Sequence, residues 1–168
     1  MKIAVMSDSH DHIWNVKKAV DSIGSMGIRC IIHLGDLVSP FVLDEFIDYK
    51  GEVHLIFGNN PGDKYLLLEK IKGLNGLVTH HGVRGELVIA QKRVVFVHDP
   101  HYAYALARTG EYQLCLFGHT HRWHLERVGD TVLLNPGEIL GKKEPPGWAL
   151  VDMDSLYVER MPLEDKSS

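Results

Sequence analysis

Cysteine is scarce in this chain. Cys30 and Cys115 are the only two, each in an apolar run and neither part of a Cys-x-x-Cys pair. That excludes a disulfide scaffold and points to buried, reduced thiols in a reducing compartment. It also removes the cysteine half of a zinc-deaminase signature. Long apolar runs are missing too. No stretch approaches the roughly 18 residues of a membrane span, and the first apolar run, residues 3–6, stops at Ser7 and Asp8, too short for a secretory leader. Nor is there a surplus of positive charge: 18 Lys and Arg against 22 Asp and Glu give a formal net charge of −4. The chain therefore carries no footprint for nucleic acid or an anionic membrane. No repeat or linker divides the 168 residues, so the expectation is one cytoplasmic domain over residues 1–168, able to bury a core unaided. Homo-oligomerisation is left open by these features.

Histidine is plentiful instead, at 11 residues, and its placement follows the predicted elements. Short apolar runs predict strands over residues 2–6, 30–34 and 53–57. Helical spacing and capping residues predict helices over 12–26, 40–49 and 64–71 between and after them. The second half is richer in strands, at 77–81, 86–90, 93–98, 113–117, 131–135, 148–152 and 156–161. A hairpin turn is expected at Gln91-Lys92, a short helix over 102–109 and a frayed tail over 163–168. Alternating strands and helices imply a parallel sheet covered by helices, followed by a second sheet or an antiparallel extension. In such folds ligands gather beyond the carboxyl ends of strands.

The residues at those ends are Asp8 and His10, Asp36, Asn59, His98, and His119 with His121. Gly35, Gly58 and Gly118 precede three of the groups and permit tight turns there. In extended backbone, residues i and i+2 project to one side about 6.5–7 Å apart. Asp8 and His10 can then share one ion, while His119 and His121 can reach neighbouring ions. Carboxylate, amide and imidazole together suit Mn²⁺, Fe²⁺ or Zn²⁺. Seven ligands exceed one tetrahedral ion but suit two ions sharing a carboxylate, with Asp36 the candidate bridge. Taken singly, Asp8 reads equally well as a helix cap, whereas Asn59 reads better as a turn residue and His98 better as a core or strand-end histidine. The case lies in all the ends carrying ligands together.

Asp8-x-His10, Gly35-Asp36, Gly58-Asn59, His98 and Gly118-His119-x-His121 resemble, in order, the motifs of the calcineurin-like metallophosphoesterases. The size and Asn135-Pro136-Gly137 look most like the small phosphodiesterase branch. The resemblance covers roughly residues 2–153. It implies an α/β fold, a four-layer α/β/β/α sandwich of two mixed sheets flanked by helices. It also implies a dinuclear centre and metal-activated hydroxide attack on phosphate esters. Carried over, Asp8, His10 and His121 would hold the first ion and Asn59, His98 and His119 the second, with Asp36 bridging. Mn²⁺ is the expected metal, with Ni²⁺, Fe²⁺, Zn²⁺ or Mg²⁺ as alternatives. Asp36, His98 and Asn60 are the expected catalytic residues. Asn60 stands where many relatives carry a histidine, and it can donate a hydrogen bond but cannot act as an acid at neutral pH. Asp63 and His101 are candidates to replace that acid, and Asp99, where glycine is common, is expected to orient a ligand or cap a turn. The alternative function is a metal-binding scaffold of the same fold acting through protein contacts, as in a retromer-coat subunit of this family.

Overall fold

A computed structural model of the protein describes residues 1–163. In chain order the elements are β1 (Lys2–Met6), α1 (Ile13–Ser25), β2 (Cys30–His33), a 3₁₀ segment (Pro40–Phe46), β3 (Glu52–Leu55), α2 (Lys64–Lys72) and β4 (Val78–His80). There follow β5 (Arg84–Ile89), β6 (Lys92–Val97), α3 (Pro100–Ala107), β7 (Leu114–Leu116), β8 (Trp123–Val128), β9 (Thr131–Pro136), β10 (Gly147–Asp152) and β11 (Tyr157–Pro162).

The strands form two mixed sheets. The first runs β11-β10-β1-β2-β3-β4, with β1 to β4 parallel and β10 and β11 antiparallel. The second runs β5-β6-β7-β9-β8, with β6, β7 and β9 parallel. Side-chain alternation divides the core into layers. Ala4 and Met6 of β1 face the helices, packing with Val16, Ala19, Val20 and Ile23 of α1 and Phe46. Ile3 and Val5 face the other way, onto Val94, Phe96, Leu116 and Leu134 of the second sheet. Val95, Val97 and Cys115 on that sheet's far side meet Ala103, Leu106 and Ala107 of α3. The result is helices, sheet, sheet, helix: the four-layer sandwich. Each large apolar side chain buried in it stabilises by about 1.5–3 kcal/mol. No helix among the described residues is long and apolar enough to cross a membrane.

Several local expectations shift. The segment after Ser39 is 3₁₀ rather than α: its bonds close over three residues, Ile47 to Asp44 and Val42 to Ser39. The hairpin turns one residue early, at Ala90 and Gln91, where φ is 48° and 62°, as a primed turn requires. The last helix begins at Pro100 because Asp99 caps it, its Oδ1 accepting from the Tyr102 N–H at 2.9 Å. β8 has no counterpart in the sequence pattern. It is a sheet-edge strand paired to β9 alone, and its Trp-His-Leu-Glu-Arg-Val run, with Leu125 43% exposed, shows no apolar face. Leu163, expected in the tail, packs on the core and donates its N–H to the Pro146 carbonyl at 2.8 Å. The rest of that tail, 164–168, lies outside the described residues.

The loops leaving β1, β2, β3, β6 and β7 meet at one rim of the sandwich, and backbone hydrogen bonds tie them to one another. The Asp8 N–H donates to the Gly35 carbonyl (3.1 Å), His10 N–H to Asp36 (3.0 Å) and Gly118 N–H to His98 (3.2 Å).

Candidate metal centre

The loop after β1 turns abruptly, with φ of 54° at Asp8 and 40° at His10. Asp36, His119 and His121 also occupy the left-handed region, at 54°, 68° and 62°. Five of the seven residues expected from the sequence thus sit in a backbone conformation that costs side-chain-bearing residues on the order of 1 kcal/mol or more each. Packing and hydrogen bonds must hold them there. The extended geometry expected for the Asp8–His10 and His119–His121 pairs is therefore not the one used. Left-handed loops aim the rings, and the glycines make room. A Cβ on Gly58 would fall on Asp36 Oδ1, and one on Gly118 would fall on Ser7 Oγ beside Asp8 Oδ2.

Asp8, Asp36 and His98 form a buried floor. Asp8 Oδ2 accepts from Ser7 Oγ at 2.6 Å and from the His119 N–H at 3.0 Å. Its Oδ1 is buried with no hydrogen-bond partner, although His121 Nε2 lies at 3.4 Å, His10 Nε2 at 3.9 Å and His98 Nε2 at 4.0 Å. His10 Nε2 is likewise buried and unpartnered, 3.4 Å from Asp36 Oδ2, and that same oxygen is 3.6 Å from His98 Nε2. Above the floor, Asn59 Oδ1 lies 2.7 Å from His119 Nδ1 and 3.0 Å from His98 Nε2.

All seven residues are therefore brought together, and they divide into two sets. His121 stacks on His10 at 5.0 Å between centroids, beside Asp8; His119 meets His98 edge-on at 5.3 Å, beside Asn59. Asp36 Oδ2 touches one imidazole of each set. Leaving a buried carboxylate oxygen unmatched costs about 1–3 kcal/mol or more, and a cation among these atoms removes that cost. Ligands about 2.1 Å from one ion and at right angles stand about 3 Å apart, close to the Asn59, His98 and His119 separations. The residues present fit divalent cations.

The second ring nitrogens are committed away from the centre. His98 Nδ1 donates to the Leu34 carbonyl at 2.7 Å, and His121 Nδ1 donates to Glu138 Oε2 at 2.5 Å. Each leaves Nε2 facing inward. Glu138 is buried, and its Oε1 accepts from the N–H groups of Lys143 and Glu144. Burial pushes its carboxyl up, but those two N–H groups and His121 prevail and hold it below the usual range. The two central carboxylates diverge. Burial dominates at Asp8 and raises it, against the hydroxyl of Ser7 and the charges of His98 and His121. At Asp36 burial is outweighed by His98 and by Asn60, and its pKa falls. His98 is raised, because contact with Asp36 and the charge of Asp8 overcome its burial.

Asn60 donates both its hydrogen bonds to Asp36, the backbone N–H to Oδ1 and Nδ2 to Oδ2, each at 2.7 Å. Asp63 caps α2 by accepting from the Leu66 N–H, Asp99 caps α3 through the Tyr102 N–H, and His101 is exposed. Asn135 ties down the histidine loop through Nδ2, which donates to the Gly118 carbonyl at 2.8 Å and to Thr120 Oγ1 at 3.0 Å. Trp123 starts β8, packing against the inter-sheet core under Arg160. Glu138 escaped sequence reasoning: a single acid one residue past Pro136-Gly137 has no spacing that marks it.

A cavity of about 280 Å³ opens beside the second set, lined by Asn59, His98 and His119 and by the apolar Phe57, Val83 and Tyr102. A larger hollow of about 430 Å³, between β8 and the turn into β11, has no such constellation and lies among Leu125, Arg127, Ser155 and Tyr157.

Comparison with known proteins agrees with this geometry. The model of the calcineurin-like phosphoesterase superfamily domain matches residues 1–156. Phosphodiesterase MJ0936 of Methanocaldococcus jannaschii is 32% identical over 146 residues, covering 84% of this chain and 86% of that protein. The structure of a novel archaeal phosphodiesterase superposes with a TM-score of 0.90 at 29% identity, over 96% of this chain and 99% of the other. Vps29 of Entamoeba histolytica complexed with Zn²⁺ superposes at 0.66 with 17% identity, over 98% and 100%, a likeness of fold. By motif order, by fold and by this match over nearly its whole length, the chain belongs to the calcineurin-like phosphoesterase superfamily.

Proposed function

We propose that residues 1–168 form one metallophosphoesterase domain that holds two divalent cations and hydrolyses phosphodiesters. The observation that carries this reading is the pair of buried, unpartnered atoms Asp8 Oδ1 and His10 Nε2, set among inward-facing imidazoles. Asp8, His10 and His121 hold one ion, and Asn59, His98 and His119 hold the other. Asp36 would hold both, a role supported by its Oδ2 lying within 3.6 Å of an imidazole from each set. When bound, the ions supply Lewis-acid charge neutralisation and lower the pKa of the attacking water.

The chain's own residues do the positioning. Glu138 fixes the His121 ring, Leu34 the His98 ring, and Asn60 the bridging carboxylate. The cavity beside Asn59 and His119 receives one ester group against Phe57 and Tyr102. With Asn60 turned to Asp36 and Asp63 and Asp99 engaged as helix caps, the leaving group has little acid help. Substrates with stable leaving groups are favoured. Nitrogen and oxygen donors without sulfur suit Mn²⁺, with Ni²⁺, Fe²⁺, Zn²⁺ and Mg²⁺ as lesser candidates. Reduced, buried Cys30 and Cys115 fit a cytoplasmic location.

The test is hydrolysis of a chromogenic phosphodiester by the full chain with Mn²⁺ or Ni²⁺, beside the matching monoester. Metal-stimulated turnover that prefers the diester and collapses in Asp36→Asn is the expected result. Equal, slow hydrolysis by wild type and variant overturns the enzyme reading. Bound metal without activity would then favour the scaffold reading, for which the fold of Vps29 is a precedent.

A further inference from the structure

A second group of ligating side chains lies away from the rim. Cys30 opens β2, and Glu52 and His54 belong to β3; the parallel register pairs Cys30 with Glu52 and Ile32 with His54. All three therefore project from one face of the sheet, the face that Cys30 and Ile32 turn toward the second sheet. A thiol sulfur, a carboxylate oxygen and an imidazole nitrogen there lie within 4.8 Å of one another. His54 Nε2 is 3.6 Å from Glu52 Oε1. Its other nitrogen, Nδ1, is hydrogen-bonded to His81 Nε2 at 3.0 Å, and the His81 ring rests edge-on against Phe96 at 5.2 Å.

Packing alone accounts for Cys30, a small apolar side chain in a core. It does not account for two imidazoles and a carboxylate on a face otherwise built of Ile3, Val5, Ile32 and Leu34. The arrangement is that of a ligand histidine with an outer partner: a proton on Nδ1 shared with His81 leaves the Nε2 lone pair toward Cys30 and Glu52. Cys30 and His54 are buried while Glu52 is exposed, so the group opens to solvent on one side. Three protein ligands with water in the fourth position make a complete tetrahedral shell, and the sulfur selects softer ions than the rim does. We propose that Cys30, Glu52 and His54 form a separate single-ion site for Zn²⁺ or Cd²⁺, with His81 holding the His54 ring. Neither Glu52, His54, His81 nor Cys30 takes part in the phosphoesterase reading, and the site does not depend on it.

Burial, and then the charge of Glu52, push the Cys30 thiol up to about 12. Binding therefore breaks the S–H bond as the metal–sulfur bond forms, and one proton leaves to water for each ion bound.

The experiment is titration of the metal-free full chain with Cd²⁺, following the ultraviolet thiolate-to-cadmium charge-transfer band. The rim has no sulfur ligand, so the band reports this site alone. The expected band reaches, once all sites are filled, the amplitude of one thiolate-bound Cd²⁺ per chain, survives in Cys115→Ser and Asp36→Asn, and vanishes in Cys30→Ser. His54→Gln weakens the apparent affinity at least tenfold. His81→Phe keeps the band but weakens affinity about tenfold, as loss of an outer partner does. A folded wild-type chain that shows no band overturns the proposal, as does a band that persists in Cys30→Ser. If Cys30→Ser does not fold, unchanged affinity in His54→Gln is the overturning result.

Discussion

His121 and Glu138 are joined by a 2.5 Å hydrogen bond, Nδ1 to Oε2, between the loop after β7 and the loop after β9. That bond decides which nitrogen of His121 faces Asp8. Glu138→Gln keeps the volume and removes the charge. Affinity for the ion beside Asp8 and His10 should fall 10- to 100-fold, read by metal titration. Activity should return at high Mn²⁺ concentration. Unchanged affinity would show that the ring needs no such partner.

His119 and His121 should have separable effects. His121→Ala is expected to lose the ion held with Asp8 and His10, and His119→Ala the ion held with Asn59 and His98. Elemental analysis together with manganese paramagnetic resonance on each variant distinguishes the losses. Depletion of the same ion in both variants contradicts the division.

Asn60 gives both donors to Asp36, which makes it a positioning residue. Asn60→Ala should slow turnover roughly tenfold or more and by a similar factor for good and poor leaving groups. A direct role at the leaving group predicts a steeper dependence on leaving-group pKa in the variant. A series of aryl phosphodiesters separates the two.

His33 is fully buried, its Nδ1 accepting from the Gly35 N–H at 3.3 Å and its Nε2 bonded to Ser9 Oγ at 3.1 Å. Burial first, then the positive charge of His98, pulls it down to about 3, against an ordinary value near 6.5. Between those values the unfolded chain binds the extra proton, so stability rises with pH. The contribution is whole above about pH 6.5 and drains away as pH falls toward 3, by about 1.4 kcal/mol per pH unit at most. Denaturant unfolding of the metal-free chain between pH 7 and 4 should show this slope, flattened in His33→Gln.

Gly58→Ala should damage the centre by pressing Asp36 from its place, lowering metal affinity tenfold or more. Gly24→Ala near the end of α1 meets nothing within 4 Å. It should stabilise by roughly 0.5–1 kcal/mol. Metal titration and thermal melts on both variants check the contrast.

What the sequence determined by itself was which polar side chains stand at the strand ends and that strands alternate with helices in the first half of the chain. Apolar runs ending at Asp8, Asp36, Asn59, His98 and His119 mark buried strands, because a strand covered on both faces is built mainly of apolar residues. The side chains that meet at the rim fall where the run stops, and family resemblance supplied the sandwich. β8 stayed hidden because an edge strand needs only one neighbour and no apolar face. Tertiary structure alone decided the rest. Left-handed backbone at Asp8, His10, Asp36, His119 and His121, rather than an extended i, i+2 geometry, aims the carboxylates and rings. Glu138 reaches His121 from 17 residues further along the chain, and Cys30 meets His54 only across the β2–β3 register. Such contacts are set by the folded chain's approach to itself, and local spacing carries no record of them.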